Sequence, residues 1–279
     1  MGSTVEHNRH LLYSASELPQ CEGPKLKAFP HRNSPVTWIE WINQTTDAAP
    51  SGGQGYVFKV QIKSRTYALK VFKFFYSSIN RMPLGPIREK NVTDSELEFH
   101  TDPFYAECRA YAHIKAQKKK QGLKRKDIAD CYGFLALKKE DEDVLTSYGV
   151  DPWSDYTADH EYRKRFEGSP VRALVKEYIA DDVDMDQKTR KRMLASVKWM
   201  NRNNILINDV AERNFKGGYL LDFGLAWTKP HCLWQNLSRA QLPIALRADI
   251  VMFEEMLDEL GFGWRRSTRL QLPQSSDET

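Results

Sequence analysis

The chain has 279 residues, 41% of them hydrophobic and 11% aromatic, enough for one large domain or two lobes sharing a cleft. With 41 Lys+Arg against 37 Asp+Glu the net charge is only +4, which gives no case for a direct nucleic-acid partner. Four scattered cysteines without a CxxC pair, and seven histidines without HxH or HExxH spacing, argue against a zinc site or a disulfide framework. They predict reduced thiols in an intracellular protein, nuclear or cytoplasmic.

Residues 1–35, rich in Pro, Ser, His and Lys, predict an extended N-terminal arm with little secondary structure. The polar start holds no apolar signal core, no run approaches transmembrane length, and Glu6 misses the Ser/Thr of a myristoylation pattern, so no membrane partner is expected. Val36 to Gln44 alternates as a strand. A Gly-rich loop follows, and then two β-rich segments, Tyr56 to Lys63 and Thr66 to Phe75, joined as a hairpin at Ser64-Arg65. Residues 77–102, with Pro83, Gly85 and Pro86, predict a long loop or insertion. Phe104 to Gln117 has helical spacing, with Phe104, Cys108, Tyr111 and Ile114 on one face.

The basic run Lys118–Lys126 reads as a nuclear-import signal or a solvated helix end. Asp130 to Leu137 is a short apolar strand, charged residues 138–169 predict a second insertion, and Val171 to Ile179 is another strand. From Met185 the period becomes helical. Met193, Leu194, Val197 and Met200 form the stripe of a helix over 186–201, and a second helix spans about Ala248 to Leu260. Ile205–Ile207 and Tyr219–Leu221 are short strands, and the tail 267–279 is expected to be disordered. A strand-rich first half and a helix-rich second half predict an α+β, two-lobed fold. Its boundaries are an N-lobe over 36–176, a hinge at 177–182 and a shortened helical C-lobe over 183–266.

Four patterns carry chemistry. Gly52-Gly53-Gln54-Gly55 precedes Tyr56–Val60, and glycine lets backbone N–H groups approach phosphate oxygens, although a flexible turn has the same composition. Lys70 sits inside an apolar strand as Ala68-Leu69-Lys70, where a buried ammonium requires a partner. The alternative is that Lys70 points to solvent, as alternation permits for Lys73. Glu107 in the predicted helix is the best carboxylate partner, with Glu96 and Glu98 as rivals. Finally Asp209, Asn214 and Asp222-Phe223-Gly224 fall between short apolar runs.

This ordered set resembles the protein-kinase superfamily over roughly Val36 to Phe262. On the pattern G-x-G-x-x-G-x-V, Gly53, Gly55 and Val60 match while Phe58 stands where the third glycine would be. The resemblance implies that Lys70, with Ala68 beside it and Glu107 positioning it, reaches the phosphates of ATP. It implies that Asp209 accepts a proton from an attacking hydroxyl and that Asn214 and Asp222 hold Mg²⁺. Glu177 and Tyr178 would offer hinge groups to adenine. Asp249 would anchor the catalytic loop, unless it is a simple carboxylate at a helix N-terminus.

The departures narrow this. Ile207-Asn208 replaces the usual His-Arg, so no phosphorylation switch of the activation loop is expected. Ala211 stands two residues after Asp209, no Ala-Pro-Glu follows, and the short segment from Asp222 to Asp249 leaves little room for a peptide-docking platform.

At closer range YVFKVQIK and YALKVFKF (56–63 and 67–74), FYAECRAY (104–111) and DVAERNFKGGYLLDFGLAWTKPH (209–231) resemble a fungal kinase-like family of inner-kinetochore (Sim-complex) subunits. Two functions follow from the resemblance. One is an ATP- and Mg²⁺-dependent phosphotransferase with an unknown acceptor, protein or small molecule. The other is a catalytically weak or inactive kinase-fold scaffold with partners in a protein complex.

Overall fold

The computed structural model describes residues 18–43, 53–77, 92–180, 183–235 and 237–263. Five strands form one antiparallel sheet: β1 (Val36–Trp41), β2 (Gly55–Ile62), β3 (Arg65–Phe72), β4 (Cys131–Ala136) and β5 (Arg172–Glu177), in the order β1-β2-β3-β5-β4. Alternation along β2 sends Tyr56, Phe58, Val60 and Ile62 to one face, where Leu69, Val71, Ala173 and Val175 join them in a buried cluster. The opposite face carries Val57 and Lys59 of β2, opposite Lys70 and Ala68 of β3. On β5, Leu174 and Lys176 stand opposite the same two residues.

Helix α1 (Asp94–Thr101) leads through Asp102 into α2 (Pro103–Lys120). Asp102 caps α2 by accepting from Phe104 N at 2.8 Å, and proline opens the helix where no intrahelical N–H is required. Buried Arg172 of β5 pairs with the same carboxylate at 2.9 Å, fixing α2 against the sheet. Residues Pro103 to Ala112 are buried on every side, so α2 is a central strut rather than a surface helix.

The second lobe holds α5 (Gln187–Arg202) and α7 (Gln241–Glu259), with short strands β6 (Ile205–Leu206), β7 (Phe215–Lys216), β8 (Tyr219–Leu220) and β9 (Trp227–Thr228) and the short α6 (Cys232–Gln235) between them. Met193, Val197 and Met200 of α5 pack with Phe253, Met256 and Leu257 of α7 and with α2. The predicted stripe is thus the second core, Leu194 lying at its edge.

Several expectations change. The segment after β4 is not loop-like: α3 (Lys139–Ser147) and α4 (Glu161–Arg165) fold over the sheet. Leu145, Val150, Tyr162 and Phe166 complete the β-face cluster, and Trp153 stacks on Phe74 at 3.7 Å. Its charge lies on the outer side of a layer whose inner side is apolar. Within 77–102, α1 is a capped helix, while 78–91 lie outside the described residues. Lys73 is buried and paired with Asp155 at 2.9 Å, not solvent-facing. Helix α7 begins at Gln241, seven residues before the expected start, because Pro243 fits a first helical turn. Expectations for the start of the arm and for the tail 267–279 also fall outside the described residues.

The arm beyond residue 17 packs rather than floats. Leu26 and Phe29 are buried, and Phe29 N donates to Phe134 O at 2.8 Å along the edge strand β4. A Cβ at Gly133 (φ +143°) would meet Lys27 O at 2.6 Å and Phe29 N at 2.7 Å. Gly133→Ala should therefore displace the arm and lower stability by about 2 kcal/mol. Chemical denaturation checks the midpoint, and trypsin checks whether Lys25 and Lys27 become cleavable.

Candidate nucleotide cleft

The cross-strand register explains the site. Lys70 on β3 and Lys176 on β5 project from the same sheet face, one pair apart, towards α2. Burying two ammonium groups demands carboxylate, and Glu107, wholly buried on α2, supplies it. Glu107 Oε2 accepts from Lys70 Nζ at 2.7 Å and Oε1 from Lys176 Nζ at 2.7 Å. Lys70 Nζ also donates to Asp222 Oδ1 at 2.7 Å, and Lys176 Nζ to Leu221 O at 2.6 Å. Glu96 and Glu98, the rival carboxylates, lie on α1 and do not take this place.

Electrostatics follow from this packing. Burial pulls the Lys70 pKa down, but Asp222 and Glu107 more than offset it, leaving the ammonium firmly charged. Burial would raise the Asp222 carboxyl, yet Lys70 and then Lys176 hold it below the usual carboxylate range. Asp222 also accepts from Gly224 N at 2.9 Å. Phe223 is buried edge-on against Tyr111 at 5.0 Å, and Tyr111 OH donates to Leu221 O at 3.0 Å, so the Asp222 turn is bolted to α2.

The loop from Asn208 to Asn214 is fixed from below. Asp249 sits in the third turn of α7, fully buried, and accepts from Ile207 N at 2.7 Å and Asn208 N at 2.8 Å. It is therefore not a carboxylate at a helix N-terminus. Burial pushes its pKa up to about 6, partly offset by the two N–H bonds. Asn208 takes a positive φ of 60°, and its side-chain amide donates to Leu225 O. Asn214 Nδ2 donates to Asp209 O at 2.8 Å, which leaves its amide oxygen as a ligand atom. Asp209 Oδ1 accepts from Arg213 Nη2 at 2.5 Å.

The structure thus brings Lys70, Glu107 and Asp222 into direct contact, and sets Asp209 and Asn214 on one loop. Val60 is a correction. It faces the β-face core, on the side of the sheet away from Lys70, and Val57 directly opposite Lys70 occupies the cleft face. The glycine frame shifts with it. β2 passes so close to β3 that a Cβ at Gly55 would lie 2.2 Å from Val71 O, whereas Gly53 has nothing within 4 Å. Gly55-Tyr56-Val57 therefore fits the closing G-x-V of the pattern, and Phe58 is a core residue. At the hinge, Glu177 ends β5 and its N–H is taken by Asp130 O at 2.7 Å. Lys59 lies over the Tyr178 ring at 4.9 Å. Sequence reasoning passed over Lys59 and Lys176, although Lys176, like Lys70, is a lysine within an apolar strand.

A second cluster, with ligand-type atoms of His100, His231 and Cys232 within 4.8 Å, is a poor cation site. His231 uses Nδ1 to accept from Leu233 N and bonds His100 O through Nε2, and the Arg109 guanidinium abuts His100.

A five-stranded sheet, a helix glutamate closing on a strand lysine, and an Asp/Asn loop anchored by a buried aspartate define a two-lobed, protein-kinase-like fold. Within it the particular family is clear. The profile of the family described as "Kinetochore Sim4 complex subunit FTA2" matches residues 14–227, and the chain belongs to that family. No curated protein sequence matches it significantly. Similar solved structures include vaccinia related kinase 3 (15% identity, TM-score 0.35, covering 80% of this chain and 56% of that one). Another is the Rio2 kinase–ADP/Mg²⁺–phosphoaspartate complex from Chaetomium thermophilum (9% identity, TM-score 0.42, 86% and 60%). The chain thus spans less than two thirds of the length of either. Among the described residues no helix is long and apolar enough to cross a membrane.

Two stability outcomes follow. Glu107→Ala leaves two buried lysines facing one remaining carboxylate and should cost about 3–5 kcal/mol, against under about 1 kcal/mol for Asp209→Ala, whose Arg213 partner is exposed. Urea unfolding of both variants measures the contrast. Asp249→Ala strips two buried N–H groups of their acceptor and should cost about 2–4 kcal/mol. The raised folded pKa of Asp249 means that the folded state binds the extra proton. Its contribution is full below about pH 4 and is lost as pH rises to about 6. The gap in unfolding free energy between wild type and Asp249→Ala should shrink across that window and stay flat above it.

Proposed function

We propose that the cleft binds ATP with Mg²⁺ and transfers phosphate to a hydroxyl acceptor. The observation that carries this reading is Lys70, held at 2.7 Å from both Glu107 and Asp222. An ammonium aimed this rigidly into a cleft, beside a carboxylate kept ionised, is suited to phosphate oxygens. Val57 and Ala68 flank Lys70 on the cleft face, where they would cover the base. Tyr178, the first residue past β5, would turn its backbone towards adenine, since the Glu177 N–H is committed to Asp130.

Asp222 and Asn214 supply hard oxygen donors of the kind Mg²⁺ takes, and when bound the ion would neutralise charge on the phosphates. In transfer, the acceptor oxygen bonds to the γ-phosphorus, the bond to ADP breaks, and Asp209 takes the hydroxyl proton. Arg213 orients that carboxylate. The gap between Asp222 and Asp249, too short for a full peptide platform, favours a small acceptor or one fixed protein partner.

A second reading has its own support. Membership of a kinetochore-subunit family over residues 14–227 favours a nuclear complex component whose kinase-like fold serves as a scaffold, without turnover. Phosphate transfer with Mg·ATP separates the two. Wild type should transfer phosphate to a protein partner or a small hydroxylated acceptor. Asp209→Ala should lose it by at least about a hundredfold while still binding nucleotide, and Lys70→Met should lose both. Equal residual signal in all three proteins leaves the scaffold.

A further inference from the structure

The Gly-rich loop holds one side chain that the preceding reading leaves unused. Gln54 stands between Gly53 and Gly55, and its backbone oxygen accepts from Lys73 N at 3.1 Å, tying the loop down onto β3. Its carboxamide reaches across the cleft to the Asp222-Phe223-Gly224 turn. A Cβ built on Gly224 would lie 1.7 Å from Gln54 Oε1 and 2.8 Å from Gln54 Cδ. The same point lies 3.3 Å from Asp222 Oδ1. Gln54 therefore occupies the space beside the carboxylate, over the glycine whose lack of a side chain admits it.

Gln54 Oε1 is buried with no hydrogen-bond partner among the described residues. An acceptor desolvated without a donor is held in place by the loop, not by a bond of its own. At the other end of the cleft face Lys59, two residues beyond Val57, spans to the Tyr178 ring. Lys59 thus lines the sheet side of the cleft, and Gln54, from the loop leading into β2, is the group that reaches from the first lobe to the Asp222 turn. Phosphates approaching Lys70 and Asp222 would need the volume that the Gln54 side chain fills.

We propose that Gln54 closes the phosphate end of the cleft, and that displacing it sets the affinity for nucleotide. The proposal rests on the nucleotide reading above and adds to it a residue that opposes binding. A site whose open form is a minor population binds with an affinity reduced by that fraction. Removing the carboxamide, while leaving Lys70, Glu107 and Asp222 intact, should raise that fraction.

The test compares wild type with Gln54→Ala and Gln54→Ser, the second guarding against poor folding of the first. Titration calorimetry with a non-hydrolysable Mg·ATP analogue should show binding about tenfold tighter in both variants, as for an open form populated at roughly one part in ten. Without nucleotide, the Gly224 amide, which donates to Asp222 Oδ1 at 2.9 Å, should exchange its hydrogen faster once Gln54 is shortened. Unchanged or weaker nucleotide binding by both variants overturns the proposal. If no protein binds nucleotide but Gly224 exchange accelerates, the closing contact stands and the nucleotide reading fails. If no protein binds nucleotide and Gly224 exchange is unchanged in the variants, both the closing contact and the nucleotide reading fail.

Discussion

Two buried lysines sharing one buried glutamate set the geometry of this protein. Lys70 and Lys176 come from neighbouring strands, Glu107 from the central helix, and Asp222 from a turn in the second lobe. Two positive and two negative groups make the cluster neutral, so each is tolerable only while the others are present. That condition fixes the angle of α2 against the sheet and the position of the Asp222 turn against both. Arg172 with Asp102 repeats the device one turn earlier on α2. The helix is therefore bound to the sheet by charge at two points, with Phe104 between them and Cys108 packed just beyond Glu107 in the same core.

The neutrality has a consequence for binding. With no ligand, Lys70 is already satisfied by two carboxylates, and Asp222 by Lys70 and the Gly224 amide. On the proposed reading, a nucleotide and Mg²⁺ would compete with this set: Asp222 would turn in part from Lys70 to the cation, and Lys70 from Asp222 to phosphate. The Gln54 carboxamide, placed beside Asp222 and over Gly224, would add a steric term to that competition.

How much could be read from the sequence follows from which residues broke a local rule. Lys70 was legible because an ammonium in an apolar strand demands a partner, and Glu107 because it sat among apolar neighbours on a helix. Lys176 breaks the same rule equally plainly, but beside Glu177 and Tyr178 it fits the end of a strand running into a polar segment as well. Val60 fits the cleft only if the glycine pattern is counted from Gly53; strand parity puts it with Phe58 and Ile62 instead. The layer over 138–169 was hidden because its charged residues are numerous and its inward residues are spaced irregularly across two short helices. The seating of the arm against Gly133 depends on a crossing of distant backbone that no local pattern encodes.

The second lobe shows what a shortened fold must keep. Asp249 lies deep within α7, and its two carboxylate oxygens accept from the backbone N–H groups of Ile207 and Asn208, the positions where the usual His-Arg is replaced. The loop is therefore held by α7 from below. Asn208 in a left-handed conformation, bonded to Leu225 O, ties this loop directly to the turn after Asp222. A loop fixed by its own core needs no activation segment to order it. On the proposed reading, control in a member of a kinetochore-subunit family would fall to access, through the Gly-rich loop or through whatever partner covers the cleft, since α7 already holds the Asn208–Asn214 loop.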